Sequence, residues 1–202
     1  MAKLKDTTIY GNIKIDTDTL LTTPVAGTLE FHNDKLYATN VAVRRALDRT
    51  SDVITATTTV ENDDTVQTLF TGTLGANALK AGNLIKIHGS GKLSNDSTSD
   101  NLNLGILFGS TIIQQGDVLT GLNLTNEDWD IITEITVRSV GETGVLAILT
   151  HVKVKDVEIV VSEDDAVVDT TAVQDITIKC LWANAKPGNT ISIYQGYMEF
   201  KN

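Results

Sequence analysis

Cysteine is almost missing from this chain: Cys180 is the only one in 202 residues, which leaves no intrachain disulfide framework and no cysteine metal cluster. It sits in the alternating run Ile176-Thr177-Ile178-Lys179-Cys180-Leu181-Trp182, where a small buried hydrophobe is the expected role. Basic residues are also scarce, 16 Lys+Arg against 26 Asp+Glu. A net charge of −10 with no basic stripe repels phosphate backbones and anionic surfaces, so neither nucleic acid nor membrane is an expected partner. No run approaches the ~18 apolar residues of a membrane span. Met1-Ala2-Lys3-Leu4-Lys5-Asp6 leads into a polar, Thr-rich stretch without a secretory apolar core, so the chain is expected to be made and kept soluble. Two prolines and an aromatic share of 5% complete the shortages.

What is present is threonine, 29 residues, and β-branched Thr suits a pleated surface better than a helix. Hydrophobic content of 41% and charged content of 21% are those of a globular chain, long enough for a small N-terminal piece plus a full domain. The expected class is all-β.

Along the chain, residues 7–39 read as short strands and turns, with Thr8 to Ile15 alternating and Thr23-Pro24-Val25-Ala26-Gly27 supplying turn chemistry. His32-Asn33-Asp34-Lys35 is a tight-turn signal between two β-type segments, which predicts a hairpin. Leu29, Phe31, Leu36 and Tyr37 are few apolar anchors for forty residues, so this piece needs a neighbouring chain or a docking surface. Residues 40–54 are the best helix candidate, with Asn40 as N-cap and Val43, Ala46 and Leu47 at helical spacing. Residues 55–65 read as a connector.

From Val66 onward, strands recur at the spacing of a sandwich. The Gly-marked corner in Asn77 to Leu93 leads into an alternating strand, the clearest strands are Trp129 to Arg138 and Val145 to Lys155, and further strands are expected at Val157 to Val161, Asp175 to Ala183 and Ile191 to Phe200, eight or so in all. Ile131, Thr133, Ile135 and Val137 are predicted on one face, with Gly141-Glu142-Thr143-Gly144 turning the chain into a hairpin.

The stretch Asn77 to Leu93, with Val66 to Leu74 before it and Leu102 to Ile113 after it, resembles the jelly-roll module of bacteriophage virion fibre proteins. Thr23 to Phe31 with Asp34 to Thr39 is similar to a short element found upstream of their C-terminal heads, and Trp129 to Gly144 resembles their central hairpin. The resemblance implies an antiparallel jelly-roll sandwich with a small extended N-terminal β-hairpin and short-helix attachment segment. It divides the chain into an attachment and trimerisation segment at 1–54, the connector at 55–65 and a head at 66–202. It further implies a non-enzymatic structural protein of the virion, made in the host cytoplasm and displayed as a homotrimeric head fibre or capsid decoration. Capsid or tail proteins are its partners. A tail-fibre protein recognising a host surface glycan is the alternative. Pro24, Gly27, Leu29, Phe31, Leu36, Tyr37, Val43 and Leu47 are then the assembly and attachment residues.

Chemistry has little to stand on. His32, His88 and His151 are scattered, without a His-Glu-x-x-His spacing or a Gly-x-Ser-x-Gly elbow, and no catalytic residue or cofactor is expected. His88 has the parity of Leu84 and Lys86, facing solvent or a neighbouring subunit. The acidic clusters at 61–64, 95–100, 126–128 and 163–165 read as loops between strands. They are oxygen-rich enough to raise Ca²⁺, but none follows the EF-hand order, and no metal site is assigned; Asp96 and Asp100 would be the residues to test. Gly105, Gly109, Gly116, Gly121, Gly141 and Gly144 are read as turn punctuation. Trp129, Trp182, Tyr194, Tyr197 and Phe200 are read as packing aromatics of strands, with stacking on receptor sugars as the alternative role. A jelly-roll carbohydrate enzyme would need two carboxylates converging in a cleft, and a secreted binding module would need a signal peptide.

Overall fold

The computed structural model describes residues 29–32, 35–40, 43–46, 51–117 and 123–201, and every regular element among them is a strand. The chain divides into two compact units, 1–48 and 49–202.

In the first unit, β1 (Leu29–His32), β2 (Lys35–Asn40) and β3 (Val43–Ala46) form an antiparallel sheet in chain order. The predicted hairpin is present, with Phe31 opposite Leu36 and His32 opposite Lys35. The helix expected over 40–54 is not formed, because Val43 to Ala46 pairs with β2, Asn40 opposite Val43 and Tyr37 opposite Ala46. A lone helix of two or three turns is marginal in water, whereas the ladder gives the same backbone groups fixed partners. Leu29, Phe31, Leu36, Tyr37 and Val43 thus lie in strands. Pro24, Gly27, Leu47 and the alternating run at 8–15 fall outside the described residues.

The second unit is built from β4 (Ser51–Val53), β5 (Thr58–Glu61), β6 (Gln67–Leu74), β7 (Leu84–Ser94), β8 (Leu102–Phe108), β9 (Thr111–Asp117), β10 (Glu127–Val137), β11 (Gly144–Val154), β12 (Val157–Val168), β13 (Gln174–Trp182) and β14 (Thr190–Lys201). One sheet runs β12-β11-β10-β7-β14-β4, with β5 also paired to β14, and the other runs β6-β13-β8-β9. When β5, β6, β7, β8, β9, β10, β13 and β14 are counted as strands one to eight, strand eight lies between one and three, six beyond three, and the second sheet reads 2-7-4-5. That interleaving is the two-Greek-key order of a jelly roll. β11 and β12 are an addition inserted between strands six and seven that widens the first sheet.

Period-two alternation drives the packing. Along β7, Ile85, Ile87, Gly89, Gly91 and Leu93 point inward, and along β10 the inward set is Trp129, Ile131, Thr133, Ile135 and Val137, as the sequence predicts. The hydrophobic side chains among them join Leu104, Ile106, Phe108, Ile176 and Ile178 of the second sheet in one core cluster. Each fully buried aliphatic side chain stabilises the fold by ~1.5–3 kcal/mol relative to exposure.

Gly109, with φ of 60°, turns β8 back along β9, in keeping with its reading as turn punctuation. Two other features differ from expectation. Two strands, β4 and β5, lie upstream of residue 66 and pair with β14. The acidic trio Glu163-Asp164-Asp165 is not a loop but the middle of β12. β12 is the outer strand of its sheet, so its carboxylates keep water, and edge charges of this kind deter stray pairing.

Candidate functional site

The regular alternation of β14 breaks once. Ile193 pairs with Gly91 but Gln195 pairs with Ser90, so Tyr194 is the extra residue of a β-bulge. Ile191 and Ile193 face the core before the bulge, Gly196 and Met198 after it, and both Tyr194 and Gln195 are left facing out. The bulge has dedicated support underneath. A Cβ on Gly91 would lie 1.8 Å from the Ser192 carbonyl oxygen, so only glycine admits that approach. The neighbouring Trp129, opposite Gly91 in the ladder, is buried and its indole Nε1 donates a hydrogen bond of 3.1 Å to the same oxygen.

Above this support lies a groove of ≈ 570 Å³ on the outer face of the wide sheet. Its floor is one cross-strand row, Gln195 on β14, Ser90 on β7, Asp130 on β10 and Lys153 on β11, each opposite the next. Tyr194, half exposed, forms one wall. The other is the tight turn from β11 to β12, where Lys155 and Asp156 line the opening and Lys155 takes a φ of 54°. Glu127 and Asp128 complete the lining and are tied down by ion pairs, Glu127 to Lys155 at 3.1 Å and Asp128 to Lys92 at 2.8 Å. The next row carries His88, whose ring packs against Tyr197 with centroids 5.3 Å apart. Burial holds His88 below its ordinary pKa, offset in part by Asp130.

The arrangement offers an aromatic face, carboxylates, an amide, a hydroxyl and an ammonium side by side. It suits reversible hydrogen bonding to a polar ligand. Among the described residues no cluster of three or more His, Cys, Asp or Glu is placed to hold a metal ion, and no helix is long and apolar enough to cross a membrane.

Of the residues that sequence reasoning singled out for chemistry, Tyr194 and the acidic pair Glu127-Asp128, which opens β10 rather than lying in a loop, line the groove, Trp129 lies under it, and the others fall outside it. His88 is on the outer face as its parity predicts, half-buried against Tyr197, while His151 bonds Glu158 at 3.1 Å through Nδ1. Asp63 accepts from the Thr65 amide and hydroxyl and from Gln67, which holds its carboxyl below the usual range and marks that loop as a self-bonded turn. Asp100 is fully buried, with Oδ1 2.6 Å from Lys186 Nζ, so an ammonium stands where a cation was considered. Around it, Asn189 accepts from the Asp96 amide and Asn95 from the Leu124 amide, joining three loops at one end of the sandwich. Gly105 and Gly116 lie inside β8 and β9 rather than in turns. Of the aromatics Trp129, Trp182, Tyr194, Tyr197 and Phe200, the two tryptophans are core and Tyr194 is the exposed one. The signal for its site was in the sequence: the apolar parity of Ile191 and Ile193 slips by one before Met198.

No protein-family model matches this chain, and no curated protein matches it in sequence. Among solved structures, that of infectious bursal disease virus Gt strain aligns with a TM-score of 0.31 and 11% identity over 81% of this chain. The VP2 subviral particle of infectious bursal disease virus aligns with 0.31 and 11% over 80%. The chain spans 36% and 35% of the length of those two chains. The jelly-roll assignment rests on the strand order given above.

Proposed function

We propose that this chain is a non-enzymatic structural protein of a bacteriophage virion, carried on the particle surface as a homotrimeric head fibre or capsid decoration. The observation that carries this reading is the division of labour along the chain: a jelly roll complete within residues 49–202, preceded by a separate unit whose described strands have only 4, 6 and 4 residues. A sheet that small buries too little surface to stand alone, which fits an attachment segment stabilised by capsid or tail proteins or by its own copies. The resemblance of 23–39 and 66–144 to phage fibre elements points the same way.

A tail-fibre position with receptor recognition is the second reading, favoured by the groove beside Tyr194. Deletion of residues 1–48 tests the attachment assignment. The remaining head is expected to fold and to be lost from purified particles, whereas normal incorporation would reject it. The cut belongs before residue 49, since Ser51 to Val53 pairs with β14 and Asp52 accepts a hydrogen bond from the Thr73 amide at 2.9 Å.

A further inference from the structure

We infer that the groove between Tyr194 and the β11–β12 turn is a binding site for a neutral oligosaccharide. The site follows from the geometry of the head and does not depend on where, or whether, the head is mounted on a particle.

Three observations converge. The first is that the chain maintains a bulge at some cost in packing freedom. Gly91 and Trp129 are both committed to the Ser192 carbonyl, and the result is to turn Tyr194 and Gln195 outward together. Bulges of this kind re-aim side chains next to sites. The second is that β11 and β12 are not needed to complete the eight-strand order, yet they supply Lys153, Lys155 and Asp156 to the groove. From β14 to β11 the floor is three strand spacings wide, about 14 Å, the scale of a short oligosaccharide lying across the strands. The volume of ≈ 570 Å³ is that of a small-molecule site.

The third is the chemistry of the lining. With Glu127 and Asp128 already neutralised by Lys155 and Lys92, Asp130 and Asp156 are left as acceptors, Lys153 as a donor, and Ser90 and Gln195 as both. That near balance disfavours a polyanion. It suits sugar hydroxyls, each of which donates to a carboxylate while accepting from an amide or ammonium. The half-exposed Tyr194 ring is accessible for stacking its electron-rich face on the slightly positive C–H face of a pyranose. Each hydrogen bond is exchanged with water at small net gain, so a single groove should bind with Kd on the order of 0.1–1 mM, and repeated copies would add avidity.

The test is titration of the ¹⁵N-labelled full chain with maltohexaose, cellohexaose, chitohexaose and a galacto-oligosaccharide to about 10 mM, followed by NMR. The two indole N–H signals give an internal control: Trp129 lies under the groove and Trp182 is buried in the other sheet. The expected result is that at least one of these sugars moves the Trp129 indole and the Gln195 side-chain amide while Trp182 stays still. Tyr194→Ala should weaken binding at least ~10-fold, and Tyr194→Phe should keep it within about threefold, because the ring face is retained. The inference is overturned if none of the four sugars shifts these signals, if Tyr194→Ala binds as tightly as the parent, or if only sulfated or uronic-acid oligosaccharides bind. Tyr194 is exposed, so its replacement leaves the core intact. A negative outcome here would leave placement on a virion untouched.

Discussion

At the scale of single residues, Gly91 has the closest backbone approach among the glycines whose surroundings are described. Any side chain there must displace the Ser192 backbone and the indole bonded to it, with no flexible neighbour to give way. Gly91→Ala is expected to cost about 3 kcal/mol or more in denaturant unfolding, whereas Gly75→Ala, with open space around it, should stay within about 0.5 kcal/mol. Equal effects of the two would contradict the close approach. Cys180 is the second informative residue. Burial pushes its thiol up to about 12 from an ordinary 9.0, with Asp63 adding to the rise. The native protein should therefore resist iodoacetamide at pH 8 and react only when unfolded. The folded thiol holds its proton where the unfolded one has lost it, so its contribution to stability is full below pH 9 and is lost as pH rises toward 12. Across that window wild type should lose stability faster than Cys180→Ala, and parallel curves would show that the thiol is not shielded.

At the scale of elements, the β10–β11 hairpin shows what alternation can and cannot reveal. Its inward face was legible because Ile131, Ile135 and Val137 recur at every second position, and Thr133 belonged to that face by parity alone. Its partner was not legible. Only the register places Thr133 opposite Thr150, where the two buried hydroxyls bond each other at 3.0 Å. Thr133→Val or Thr150→Val alone should cost about 1–3 kcal/mol by stranding the other hydroxyl, and the double replacement should recover most of that loss. Additive losses in the cycle would show that the pair is not coupled. The same limit explains the groove. Ser90, Asp130, Lys153 and Gln195 come from four strands, and only pairing lines them up. The helix misread at 40–54 has a different cause: Val43, Ala46 and Leu47 satisfy helical spacing, but spacing within four residues does not exclude a strand, and β2 supplied the ladder. The extent of β12 was hidden by Glu163-Asp164-Asp165, which look like loop residues until the strand is known to lie at an edge.

At the scale of the whole molecule, the class and the jelly-roll order agree with what threonine content, strand spacing and the resemblance implied, while the assembled state is a proposal with its own test. Light scattering of the full chain should give three times the 21.8 kDa chain mass. A monomer that keeps its folded β signal would remove the trimer from the account. The central functional claim is display on a particle. The most direct measurement is immunogold electron microscopy of purified phage particles with antibody raised against residues 49–202. The account predicts gold on projections from the particle surface. Particles without label, with the protein confined to the soluble fraction of the lysate, would contradict it.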